Sequence, residues 1–562
     1  MQGVAKDTRR CGGNAKDFFA FLRVSFAPLR ILRVTLLISL ISCESKEQKG
    51  QSLFDNNCSG CHNFKSNSIG PQLGGLTEEV SEDWIRNFIK DPKGMIERAD
   101  ERSETLYGRY NTFMPGFAHL KEEDIDAIIA LLKTKPAPPK KEFKPDGTEI
   151  KDPIPGKIEM SNLVIDLQEV TTIPPSSNEG QKTRICKLDY RPDTKDVFVV
   201  DLRGRLYQLT DKGPVVYLDI AKEKPNFINK PGLATGFGSF AFHPEFAKNH
   251  LLYTTHVESP GSGTADFAYA DSIKVMLQWV LSEWNMEKKE SRELFRANMV
   301  HSFHGVQEIT FNPMAKPGDE DYGLLYIGVG DGSSVEMGYP FLAHNKNNIW
   351  GSILRIDPRG NNSKNKHYGI PQTNPFNNEI FAYGFRNPHR ISWSKDGRIL
   401  ASNIGHHNIE SLYIVEKGSD CGWPEREGTF VMRYNENMND VYPLPADDSV
   451  YHYTYPVAEY DHDEGNAISG GLEYWGTKVN SLKGKYLFGD IVKGRLFYVE
   501  MKDLAIGKQA PIKELQLTIN GQKKTLVETT GDDKVDVRFG RDHTGEMYIL
   551  TKPDGKVYKI VN

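Results

Sequence analysis

Residues 196–210 read DVFVVDLRGRLYQLT. A β-branched run, a polar turn containing Gly204 and a second run that opens basic–apolar–aromatic make the pattern of a β-hairpin. The pattern returns at 485–501 (KYLFGDIVKGRLFYVEM) and 546–560 (EMYILTKPDGKVYKI), and its first half recurs at 323–334 (GLLYIGVGDGSS) and 397–407 (GRILASNIGHH). Hairpins spread over about 400 residues predict repeated four-stranded sheets about an axis, an arrangement that removes exposed sheet edges. At roughly 65 residues per sheet the expectation is an all-β six-bladed propeller over 161–562. A β-sandwich seldom runs so long as one unit.

The chain has 562 residues, too many for one core, so a second domain is expected. The net charge of −5 comes with no basic stripe interleaved with aromatics, which argues against a nucleic-acid partner. Arg23, Arg30 and Arg33 precede the uncharged run VTLLISLIS (34–42), which leads into Cys43. A basic stretch, a short apolar stretch and a small residue at the break read as an export signal over 1–42. Nine uncharged residues are too few to span a bilayer. Leu40-Ile41-Ser42-Cys43 resembles a bacterial lipobox, which implies lipidation at Cys43 and a periplasmic or cell-envelope protein anchored by lipid alone. Cys11 falls in the leader. Cys186 and Cys421 remain; an oxidising compartment permits a disulfide between them, but two buried, unpaired thiols are the expectation.

Cys58-Ser59-Gly60-Cys61-His62 has the spacing that attaches a haem through two thiols and presents the next imidazole to iron. A zinc site would need a second ligand pair nearby, and the sequence has none. Leu53 and Phe54 sit on a short helix before the motif. Ile125, Ile128, Ile129 and Leu132 mark one face of an amphipathic helix within 120–135. The order CxxCH, GPQLGG (70–75), FMPGF (113–117) and terminal helix resembles class I c-type cytochromes over residues 47–135. That resemblance implies a small all-α domain carrying haem c, with His62 and Met114 on the iron. Met95 in PKGMIE lacks the Met-Pro turn. Residues 136–160 are rich in Pro and Lys without apolar period and read as an exposed tether.

Within the β region, SFAFHPEF (239–246), FHGVQEITFNP (303–313), GSILRIDPRG (351–360), IFAYGFRNPHRISW (380–393), SDCGWP (419–424) and GGLEYWG (470–476) occur in this order. Together they resemble the glucose/sorbosone dehydrogenases that use pyrroloquinoline quinone (PQQ). The resemblance implies that His304 takes a proton from a sugar hydroxyl, that Asp331 fixes its tautomer, and that Arg386 and Asn387 contact the quinone. It implies further that the backbone carbonyls of Gly405 and His406 bind calcium. His301, three residues from His304, leaves a metal pair as an alternative. The positions where the family pattern calls for cations to meet the quinone's carboxylates hold Val492, Asp533 and Val535; Lys493, Lys534, Arg538 and Arg541 stand nearby but displaced, and Ala234 occupies another expected polar position.

Two functions follow from these residues. In the first, an oxidoreductase oxidises a sugar or polyol and passes electrons to its own haem, and thence to a downstream redox protein. In the second, the β domain is a carbohydrate- or protein-binding module and only the cytochrome does redox work.

Overall fold

The computed structural model describes residues 45–59, 62–64, 70–110, 114–137, 148–232, 234–270 and 272–561. The export segment, Cys43 and Cys61 lie outside them. No described helix is long and apolar enough to cross a membrane.

The N-terminal part is helical. Its first helix, Lys46–Asn57, starts on a Ser45 cap whose hydroxyl accepts the Gln48 N–H while the Gln48 side chain returns to the cap. Glu82–Lys90 is capped by Ser81, and Pro92–Glu97 by Asp91 with Pro at the first helical position. Glu122–Lys133 carries acids in its first turn and Lys133 in its last, as the helix dipole favours. The expected stripe of Ile125, Ile128, Ile129 and Leu132 is buried, against Ile85 and Ile89. Each such side chain contributes about 1.5–3 kcal/mol on burial, against differences of a few tenths per residue in helix propensity, so packing decides where this helix lies.

From residue 159 the chain is β. Three antiparallel sheets have four strands each: Phe237–Phe242 through Glu290–Met299, Val306–Phe311 through Ile380–Tyr383, and Pro388–Trp393 through Ala458–Asp461. A longer path contains three further antiparallel runs of four. The strands from Ile468–Glu473 to Lys513–Ile519 form one, and those from Ile185–Tyr190 to Gly213–Asp219 another. In the third, Val537–Arg541, Met547–Thr551 and Lys556–Val561 are joined by Glu159–Thr172, which pairs antiparallel with the C-terminal strand and so ties the two ends of the β region together. The opening strands touch in sequence: 185–190 against 237–242, then 306–311, 388–393, 468–473, 537–541 and back to 185–190. Because sheets cover both of their faces, 237–242 and 388–393 are buried along their whole length.

One expectation needs correction. The second half of the proposed tether is pinned to the sheets: Ile150 bridges Val441, the Ile154 N–H donates to Asp461 at 3.0 Å, and the first strand begins at Glu159. Cys186 and Cys421 are the two buried, unpaired thiols expected over a disulfide, each in its own cluster.

Candidate active site and haem pocket

An apolar cavity in the helical part is lined by Cys58, His62, Leu73, Ile85, Met114 and Ile128. The His62 Nδ1–H donates to the Pro71 carbonyl at 2.8 Å, which orients the ring and leaves Nε2 as its lone-pair nitrogen. Burial pushes the His62 pKa down, opposed by that carbonyl, and so favours the neutral imidazole a metal needs. Gly70 makes the approach possible, since a Cβ there would stand 2.4 Å from the His62 ring carbon Cε1. Met95 is buried elsewhere and does not line the cavity. Thiol, free imidazole nitrogen and thioether on an apolar box fit haem c. Cys61 lies outside the described residues.

Where the opening strands converge there is a second cavity of about 370 Å³. His304, Arg386, Asn387, Gly405 and His406 all line it. His304 adopts a left-handed backbone, φ 54°, a conformation costly for a residue with a side chain and enriched at functional sites. Gly330 makes room, because a Cβ there would meet the His304 carbonyl oxygen at 2.4 Å. His304 Nδ1–H donates to Asp331 Oδ1 at 2.7 Å, leaving Nε2 as the acceptor. Fully buried Asp331 also accepts the Ser333 N–H at 2.8 Å and the Trp423 Nε1–H at 2.9 Å, so all its partners are donors and its charge is fixed in place. Asn387 is held through its N–H, which donates to Asn403 Oδ1.

The sequence reading missed Glu336. Its carboxylate accepts from Arg386 Nη2 at 2.6 Å and from Nε at 3.0 Å, and His406 Nδ1 lies 3.3 Å away. Burial alone would raise the Glu336 pKa; Arg386 and His406 outweigh it and hold the carboxyl well below the usual range. His304, Asp331 and Glu336 offer ligand atoms within 4.8 Å of one another. The metal alternative therefore joins His304 to these acids, not to His301. The Gly405–Ile409 loop is shaped by Glu427, whose Oε1 accepts the N–H groups of His406, His407, Asn408 and Ile409. The Gly405 carbonyl accepts from Arg386 Nη1. A calcium ion on that oxygen would stand against a guanidinium, so this arrangement does not fit the calcium site that the resemblance implied.

The cations also differ from expectation. Val492 faces the cavity, while Lys493 reaches the Asp463 carbonyl at 3.2 Å and does not line it. Asp533 faces the helical part, 4.0 Å from Lys93. Arg541 lines a different cavity, with Asp189. Lys534, Arg538 and Lys552 do line this one, with Asp536 and His389 among them. Arg538 Nη2 and Lys552 Nζ bind Asp536 at 2.6 and 3.0 Å. Lys552, His389 and Asp536 were not singled out from sequence; the available signal was charge at the ends of buried strands, in YILTK and KVDVR.

The two cavities share a wall. Phe54, His62, Val492 and Lys534 line both, and Gln51, Asp55, Ser59, Asn63, Phe64 and Lys135 of the helical part roof the larger one.

A cytochrome c family model matches residues 47–135, and the model described as glucose / sorbosone dehydrogenase matches residues 184–559. This chain belongs to the glucose/sorbosone dehydrogenase family. It is 25% identical over 405 residues to human Hedgehog-interacting protein, covering 68% of this chain and 51% of that one. It is 22% identical over 227 residues to quinoprotein glucose dehydrogenase B of Acinetobacter calcoaceticus, covering 36% and 43% respectively. The chain thus spans about half the length of the curated relatives it matches. Among solved structures, the PQQ-bound aldose sugar dehydrogenase of Streptomyces coelicolor aligns at 17% identity with a TM-score of 0.46, covering 70% of this chain and 97% of that one.

Proposed function

We propose that this chain is an exported oxidoreductase that oxidises a sugar or polyol in a six-bladed propeller and passes the electrons to its own c-type haem. The observation that carries the reading is the shared wall: the cavity holding His304 and the haem pocket adjoin through Phe54, His62, Val492 and Lys534. A binding domain has no use for an electron acceptor built against its ligand cavity. The six four-stranded runs and their ring of touching opening strands support six blades.

His304 Nε2 takes the proton of the reacting hydroxyl, and Asp331 keeps that nitrogen unprotonated beforehand and balances the imidazolium afterwards. Asn387 and the Arg386–Glu336 pair line the cavity beside them and would position the quinone and substrate. When bound, PQQ supplies the two-electron acceptor for the hydride leaving the sugar carbon. Cys58 and Cys61 would hold the haem covalently, with His62 and Met114 on the iron, and His/Met ligation makes the haem a willing acceptor of single electrons. No calcium is assigned to Gly405 and His406.

The domains run from a leader at 1–42, lipidated at Cys43, through a cytochrome at 47–135 and a tether to a propeller beginning near 159; the mature protein resides at the bacterial cell envelope and hands electrons to a downstream redox protein. A second reading, a recognition module beside a separate cytochrome, draws on the relative named Hedgehog-interacting protein and on Val492, Asp533 and Val535 standing where cations were expected. The test is haem reduction in purified haem-loaded protein given PQQ and a panel of sugars. PQQ-dependent reduction that falls by about 10²–10⁴ in His304→Ala supports the dehydrogenase; no PQQ uptake and no reduction with any sugar would leave the recognition module.

A further inference from the structure

PQQ carries three carboxylates, and a buried site must meet them with cations. The cavity contains a cationic wall that the family's aligned positions do not supply. Lys534, Arg538 and Lys552 stand on it against one carboxylate, Asp536, leaving an excess of two positive charges. Arg386, by contrast, is already neutralised by Glu336. Asp536, like His304, has a left-handed backbone, φ 53°, at the start of the strand that carries Arg538.

A purely structural ion cluster would be balanced and its donors satisfied. This one is neither. The Arg538 Nε is buried without a partner, and so are both ring nitrogens of His389 beside it. Lys552 is fully buried, and that burial, with Arg538 nearby, pushes its pKa down to about 8 despite Asp536. No hydrogen bond or ion pair from the Lys534 ammonium occurs among the described residues. Unsatisfied buried donors and surplus positive charge on one wall point to an anionic ligand with several acceptor oxygens.

We infer that Lys534, Arg538 and Lys552, with His389, form a rebuilt clamp for the carboxylates of the quinone cofactor, replacing the anchors lost at Val492, Asp533 and Val535. The inference rests on the PQQ reading proposed above. It places one anchor, Lys534, on the wall shared with the haem pocket.

The test is equilibrium binding of PQQ to the haem-loaded full chain, followed by quinone fluorescence or dialysis without turnover. Loss of one charge-assisted contact is expected to weaken binding about ten- to a hundredfold in Lys552→Met and in Lys534→Met. Asp536→Asn removes the carboxylate that both Arg538 and Lys552 bind and is expected to tighten binding, a change of sign that a structural role does not produce. Lys493→Met, outside the cavity, is expected to bind as the parent does. Should Lys552→Met fail to fold, as read by circular dichroism, Lys534→Met decides alone, because its half-buried ammonium makes no hydrogen bond or ion pair among the described residues. Parent-like affinity in both lysine variants overturns the clamp and leaves the dehydrogenase reading intact. A parent chain that takes up no PQQ overturns both.

Discussion

Replacing Asp331 by Asn changes one atom and tests whether His304 is the base. Asp331 accepts three hydrogen bonds, from His304 Nδ1 and the Ser333 N–H on one oxygen and from Trp423 Nε1 on the other, at 2.7, 2.8 and 2.9 Å. An amide can accept on only one side. If its oxygen faces His304, its NH₂ opposes the Trp423 N–H, a buried donor left unpaired at a cost of about 1–3 kcal/mol in stability. In that orientation Nε2 still accepts a proton, but the imidazolium loses its counter-charge. A charge-assisted hydrogen bond is worth about 1.5–3 kcal/mol, which converts to a rate loss of about ten- to a hundredfold. If the oxygen faces Trp423, the NH₂ meets His304 Nδ1, the ring proton moves to Nε2, and the base is lost altogether, for about 10²–10⁴. Sugar-dependent haem reduction should therefore fall at least tenfold in kcat, with KM changing little and the haem spectrum unaltered. A loss under about threefold, with the protein folded, would refute the role given to His304.

Gly70→Ala places a methyl group 2.4 Å from the His62 ring and should cost about 1–3 kcal/mol and lower haem content, measured by the pyridine haemochrome assay; full occupancy would show that the ring has room to move. Met114→Ala should lower the haem reduction potential in a redox titration, because a thioether ligand raises it; an unchanged potential would remove Met114 from the iron. Glu459 is buried, and burial pushes its pKa up to about 7 against the hydrogen bonds from Thr429. The folded protein then binds this proton more tightly than the unfolded chain, so its contribution is neutral below about pH 4.5 and becomes a penalty of about 3 kcal/mol as pH rises through 7. Glu459→Gln should raise Tm at pH 8 and leave it nearly unchanged at pH 4.5; equal shifts at both pH values would contradict this.

What the sequence revealed followed from how locally each feature is encoded. The stripe of Ile125, Ile128, Ile129 and Leu132 shows helical period within eight residues, and the hairpin of 196–210 shows both strands and their turn in fifteen. His304 and Asp331, 27 apart in sequence, were found only because a family pattern links them. Glu336 gave no signal, because its meaning comes from Arg386 fifty residues later. Lys552 and Asp536 flank the two strands of one hairpin, where Thr551 pairs with Val537, but nothing in the local sequence marks their side chains as facing the cavity. The latter half of the tether was misread because Pro and Lys content says nothing of one bridge to Val441 or one bond to Asp461.

The central claim is that electrons pass from the propeller to the haem within one molecule. The direct measurement is stopped-flow haem reduction after mixing PQQ-loaded protein with an oxidisable sugar, repeated over a hundredfold range of protein concentration. The shared wall predicts a first-order rate independent of protein concentration. A rate that rises in proportion to protein concentration, or a haem that stays oxidised while the quinone is reduced, would contradict it.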